Sequence, residues 1–367
     1  MAIPASGPLT LSDIQTEFGG SNPIGLNEYY AGGSYVSAGT TGTYGAVPSG
    51  GTISIQNFYG TSAVVPGVTW TNQPNFTSVY GSSYYGYSVI WSGTQFVVAG
   101  TSARCATSPN GITWTLQTGL ATAVGSNDIR SLVWSGSKYV AIGAQCATSP
   151  DGITWTLQNS FNLVFSYVGY SVLWSGTQFL AVGDSGRCAT SPDGITWTRQ
   201  TNFSTIWGIT DTAYSVVWSG SKYVAVGYNG KCATSSDGIN WTLQSSFSSV
   251  FGTTSAYAIV WSGTKFLAVG NGGTCATSPD GITWTYQTGY NSSLGNTFNG
   301  TGLVWSGTQF LVTGVDISGP RCATSPDGIT WTVQTGFAST ANYGFSVTWS
   351  GTKFVAVGVS GKCATSP

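Results

Sequence analysis

The stretch CATSPDGITWT, residues 188–198, recurs almost letter for letter along most of the chain, and its reading decides the fold. Within it, SPDG sets proline where φ near −65° is wanted, then an aspartate able to bond its own backbone, then a glycine free to take positive φ. That is hairpin chemistry. Working outward, WSG occurs seven times, with its tryptophan at Trp91, Trp134, Trp174, Trp218, Trp261, Trp305 and Trp349. Seven cysteines keep step at Cys105, Cys146, Cys188, Cys232, Cys275, Cys322 and Cys363. Their spacing, about 43 residues on average, is that of a four-stranded propeller blade.

Each repeat reads as four short strands separated by turns, as in YSVVWSG, KYVAVG, KCATSSDG and INWTLQ between Tyr214 and Gln244. The first two, strands a and b, are near-continuous apolar runs, as expected of strands buried on both faces. No helical period is read anywhere in this region, because turn residues interrupt every six to eight positions. The chain ends are complementary. The last repeat stops at Cys363–Pro367 without a fourth strand, and an orphan GVTWTNQ stands at Gly67–Gln73. One blade is therefore expected to take strands a to c from residues 345–367 and strand d from residues 67–73, closing a seven-bladed ring. The fold class is all-β, a seven-bladed β-propeller over residues 64–367, preceded by a small α+β module over residues 1–63.

Composition agrees. Only 6% of residues are charged while 14% are aromatic and 52 are glycine, so burial has to come from aromatic and β-branched packing between tight turns. Eleven basic residues against twelve acidic ones, with no basic cluster, argue against a nucleic-acid partner. No run of 18 apolar residues and no basic-then-apolar start occurs, so neither membrane insertion nor N-terminal export is expected.

The recurrent residues read as architecture. Asp151, Asp193, Asp237, Asp280 and Asp327 hold one corner, where Asn110 replaces a sixth. They are expected to bond the turn, not to transfer protons. Trp70, Trp114, Trp155, Trp197, Trp241, Trp284 and Trp331 are expected to cover that turn and bond a carbonyl through the indole N–H. Equivalent cysteines on a ring of ~12 Å radius lie about 10 Å apart, too far for disulfides, and without any histidine no metal site or cofactor is read. They are expected to be buried thiols of a protein folded under reducing conditions. Glutamate is confined to Glu17 and Glu28, and the remaining propeller aspartates are scattered, so no carboxylate pair for hydrolysis is read and a non-enzyme is expected.

Recognition is sought where the repeats differ. The d-to-a connections are long and unlike one another, and the b-to-c loops often place a base before the cysteine. Both loop sets are expected on one face. That gives Tyr80, Tyr84, Tyr85, Arg104, Tyr167, Asp184, Arg187, Trp207, Asp211, Lys231 and Arg321 as candidate ligand contacts, a mixture of aromatic and polar groups suited to glycan.

The SPDGITW corners resemble the Asp-box (BNR-type) propellers, with one residue fewer between Asp and Gly; that family includes sialidases, which makes a sialidase-like glycosidase the enzymatic alternative. In the first sixty residues, LSDIQTEFGG reads as a short helix with Ser12 as N-cap, Asp13 and Glu17 near its start and Gly19 at its end, and GTISIQNFYG reads as a strand. So small and polar a segment is expected to fold against a partner or another copy. SGPLTLSDIQTEFGGSNPIGLNEYY followed by GTISIQNFYG resembles the N-terminal module of tailed-bacteriophage virion proteins, particularly marine and cyanobacterial ones. The resemblance implies a virion protein assembled in the host bacterial cytoplasm. Residues 1–63 would contact other virion proteins, and the propeller would serve as a tail fibre or appendage binding host-surface glycan or receptor. The alternative is a purely structural virion component. Fibre-like appendages are commonly trimeric, though no coiled-coil heptads support a trimer here.

Overall fold

A computed structural model describes residues 3, 9–21, 25–31, 35, 36, 40–42, 45–59, 66–337 and 344–367. Contacts divide the chain into two compact units, residues 1–66 and 67–366.

Residues 67–366 form seven four-stranded antiparallel sheets arranged as the blades of a β-propeller. Blade 1 is typical, with strand a at Gly86–Trp91, b at Phe96–Gly100, c at Cys105–Ser108 and d at Thr115–Gln117. Strand a opens blades 2 to 7 at Ile129–Trp134, Gly169–Trp174, Ala213–Trp218, Ala256–Trp261, Asn299–Trp305 and Gly344–Trp349. In blade 7 the fourth strand is Thr71–Asn72, paired with Cys363–Ser366 as Thr71↔Thr365 and Asn72↔Ala364. The ring closes as the chain ends require.

Each c-to-d corner is built by its own side chains. The Asp193 carboxylate accepts the N–H groups of Ile195 and Thr196 at 2.8 and 2.7 Å, while the Ser191 hydroxyl accepts the Gly194 N–H. Gly194 sits at φ 73°, where a side chain would be strained. The Trp197 indole then donates to the Gly194 carbonyl at 3.1 Å. Asn110 does the same work in blade 1, accepting from Ile112 and Thr113 at 2.9 Å. The same bonding recurs at Asp151, Asp237, Asp280 and Asp327.

Two expectations fail. Strand b is buried throughout in six blades and over its first five residues in blade 6, but strand a is only partly so, because it lines the central channel. And the d-to-a connections are not irregular loops: among the described residues six helices lie in them, Pro74–Tyr80, Gly119–Val124, Asn159–Phe165, Thr201–Trp207, Ser245–Phe251 and Thr288–Leu294. Their signal is a pair of large apolar residues four apart. Phe203 and Trp207, for example, stack with centroids 4.9 Å apart, and Phe203 meets the blade-4 Trp241 edge-on. One such pair is too short for a periodicity search to register.

The seven thiols are free and buried, as read from the sequence. Burial raises them all, Cys105 to about 12.

In the N-terminal unit the helix runs Leu11–Phe18 and its N-cap is Thr10, not Ser12: Thr10 and Asp13 bond each other reciprocally. Ile55–Phe58 is a turn of 3₁₀-helix and not the strand expected, since Asn57 caps the Ser54 N–H at 2.8 Å. The unit closes a small core of its own around Ile14, Phe18, Tyr29 and Phe58.

Candidate functional site at the channel mouth

The blades share one irregularity. Near the start of every strand a, the register with strand b slips by one residue, a β-bulge repeated seven times. A bulge re-aims the residue it contains. Here those residues are Tyr87, Arg130, Tyr170, Tyr214, Tyr257, Thr301 and Phe345, and all seven line one cavity of about 390 Å³ at the channel.

Beneath them a serine ring fixes the wall. Ser88, Ser131, Ser171, Ser215 and Ser346 each accept an N–H from strand a of the following blade, at 3.1 to 3.4 Å. The annulus is therefore held by backbone already committed to the fold.

The aromatic members touch. Tyr87 and Phe345 have centroids 5.3 Å apart, Tyr170 and Tyr214 5.5 Å, and Tyr214 and Tyr257 5.3 Å. Between Tyr87 and Tyr170 lies Arg130, its guanidinium 4.0 and 5.9 Å from the two ring centroids and 3.1 Å from the Asp128 carboxylate. Burial raises the Tyr87 and Tyr170 phenols, with further upward pushes from Asp128 and Asp184 respectively, against lowering by Arg130. Burial also raises Tyr214. Near neutral pH these hydroxyls are uncharged, able both to donate and to accept. No carboxylate is among the residues lining the cavity.

The two variable loop sets do meet on one face, as expected, but most of the eleven candidate residues hold that face together. Tyr80 and Trp207 are fully buried and correct the expectation that they contact ligand: each is the second member of a helical pair, stacked on Phe76 and Phe203. Three of the bases before the cysteines serve helix ends, where unpaired carbonyls collect. Arg104 donates to the Val79 carbonyl at 3.0 Å and lies over Tyr84. Lys231 donates to the Trp207 carbonyl and pairs with Asp211, and Arg321 donates to Leu294 while pairing with Asp316. Arg187 lies over Tyr167, and Asp184 accepts from Thr212 at 2.8 Å. Of the eleven, Tyr85 lines a groove of about 470 Å³ that also reaches Tyr257, Thr301 and Phe345.

Sequence reasoning missed the annulus because its residues sit inside a strand that was read as buried. The signal was present as the letter four places before each WSG tryptophan, aromatic in five repeats, arginine in one and threonine in one.

No protein-family model and no curated protein matches the chain. Solved structures do. A structure described as "YCF48 bound to D1 peptide" is similar at TM-score 0.63 and 16% identity, covering 81% of this chain and 96% of that one. YCF48 from Cyanidioschyzon merolae follows at 0.62 and 13%, covering 81% and 98%. The WD40 β-propeller domain of Doa1 matches at 0.58 and 9%, covering 83% and 97%. The likeness is one of fold. Among the described residues no group of three or more His, Cys, Asp or Glu could hold a metal, and no helix is long and apolar enough to cross a membrane.

Proposed function

We propose that the chain is a binding protein, not an enzyme, which holds a surface glycan at the channel mouth and is carried on a tailed-phage virion through residues 1–63. The observation that carries the binding part is the annulus. Five aromatic side chains, four of them tyrosines, converge on a cavity whose volume falls within the range of small-ligand sites. Tyrosine faces offer stacking surface to sugar rings while the phenols bond sugar hydroxyls. No carboxylate lines the cavity to serve as the general acid of glycoside cleavage. The virion part is supported by the resemblance of SGPLTLSDIQTEFGGSNPI and GTISIQNFYG to phage modules.

The test is a bacterial glycan array probed with the whole chain and with a Tyr170→Ala/Tyr214→Ala variant. Selective binding by the first, reduced at least tenfold in a variant with an unchanged melting profile, is expected. A folded chain that binds no glycan overturns the reading, and release of reducing sugar overturns its non-enzymatic part. Gold-labelled antibody on purified particles tests the virion part, which an unlabelled particle would refute.

A second reading, capture of a peptide by the same mouth, is favoured by the D1 peptide complex of a propeller with the same fold. A peptide array separates it from the first.

A further inference from the structure

The annulus is broken at one blade. Where four blades place tyrosine at the bulge, one phenylalanine and one arginine, blade 6 has Thr301, whose short side chain turns aside to donate to the Gly344 carbonyl at 2.6 Å. The next residue is Gly302, where five blades have serine. Two successive truncations on one blade remove the wall there.

Other departures coincide with the gap. Blade 6 replaces the tight b-to-c loop with a longer hairpin, Phe310–Asp316 paired to Gly319–Ser325, and Val315 of that hairpin becomes part of a groove wall. Asn299 accepts the Gly272 N–H through Oδ1, which leaves its Nδ2 donors for a ligand. Beneath the gap the Thr313 hydroxyl is fully buried and has no hydrogen-bond partner among the described residues. A Cβ on Gly302 would collide with that oxygen. The serine that five blades carry at this position would therefore meet Thr313 in blade 6, which keeps residue 302 a glycine and this stretch of wall low.

The groove of about 470 Å³ shares Tyr257, Thr301 and Phe345 with the channel-mouth cavity and continues past Tyr85, Asn299 and Ser360. The two cavities are one path. On the other six blades an aromatic ring or the Arg130 guanidinium stands at the mouth, so a chain held in the mouth can leave sideways only over blade 6.

We propose that mouth and groove form one site for the end of an unbranched, neutral glycan, with its terminal sugar inside the annulus and the following sugars over the Thr301 gap. This rests on the glycan reading above. No charged side chain lines the groove, which instead offers aromatic faces, an amide and hydroxyls. That set suits a neutral polyol, and the one charged side chain at the mouth, Arg130, is already paired with Asp128.

The experiment is calorimetric titration of the whole chain with linear glucose, galactose and mannose oligomers of one to four units. Thr301→Tyr is the main variant, since it restores the residue that blades 1, 3, 4 and 5 already hold at this position. Asn299→Ala is the second variant, at a groove residue outside the mouth cavity, and its melting profile is recorded because it also removes the bond to the Gly272 N–H. For one of the three ladders, affinity is expected to rise at least tenfold from one unit to three. Thr301→Tyr is expected to lose that gain, and Asn299→Ala to lose part of it. Affinity independent of length, or a gain that survives Thr301→Tyr, overturns the proposal while leaving glycan binding intact. Failure of every ladder, with binding of charged glycans or peptides on the arrays, overturns it together with the neutral-glycan reading.

Discussion

Gln73 donates from Nε2 to Thr365 Oγ1 at 2.7 Å, joining residues 292 positions apart, and Gln158 makes the same bond to Thr148 ten positions away. The closing blade thus uses the local chemistry of an ordinary blade to tie the two ends of the propeller together. Gln73→Ala is expected to lower the unfolding free energy by about 1–2 kcal/mol, the cost of leaving a buried hydroxyl without its donor. Removing residues 363–367 exposes the edges of two strands in blade 7, and aggregation is expected. Urea unfolding and gel filtration check the two outcomes; a deletion variant that remains monomeric would contradict the closure.

Acid should act through the corners. At Asp237, partial burial pushes the carboxyl up, but the Asn240 and Ile239 N–H groups, the Asn240 amide and the Ser235 hydroxyl outweigh it and hold the group at about 2. A depressed folded value means that its contribution is complete above the ordinary carboxylate value and is lost as pH falls through about 2. Asp237→Asn, which copies the natural Asn110, is expected to fold and to flatten the stability profile between about pH 4 and 2. Asp237→Ala should instead cost about 1–2 kcal/mol near neutral pH. Chemical unfolding against pH distinguishes the two.

Lys231 ties the end of one helix to Asp211, which is largely buried. Lys231→Met leaves that carboxylate without its cation and is expected to cost roughly 1–3 kcal/mol, with part recovered in Lys231→Met/Asp211→Asn. Glycan affinity at the channel mouth is expected to stay within twofold of the parent. A loss of affinity without a loss of stability would return Lys231 to the ligand contacts.

The cysteines should be silent until the blades open. All seven thiols are buried and raised by that burial, Cys105 to about 12. A thiol reagent at pH 8 is expected to modify none of them in the native protein and all seven in denaturant. Fast labelling of a native thiol would show an opening that the packing does not allow.

Much of this architecture was legible in the residues. The corner aspartates, the covering tryptophans, the buried cysteines and the split blade all follow from local chemistry repeated at a regular spacing, and two incomplete ends that complement each other imply a ring. Helices escaped because a pair such as Phe203 and Trp207 marks only one turn, and the bases escaped because their partners are carbonyls, which any sequence position supplies. Arg104, Lys231 and Arg321 look like ligand contacts in a chain with few charges until the helix ends they serve are in view.

The site belongs to tertiary structure for a different reason. Tyr87, Arg130, Tyr170, Tyr214, Tyr257, Thr301 and Phe345 each lie one blade apart along the chain, so none has a neighbour in sequence that identifies its role. The sequence by itself determined the blade, its turns and the number of blades, because those depend on residues close together. Only the closed ring, with a bulge turning one residue per blade inward, decided that five aromatic rings and an arginine would face one cavity and that Thr301 would leave it open.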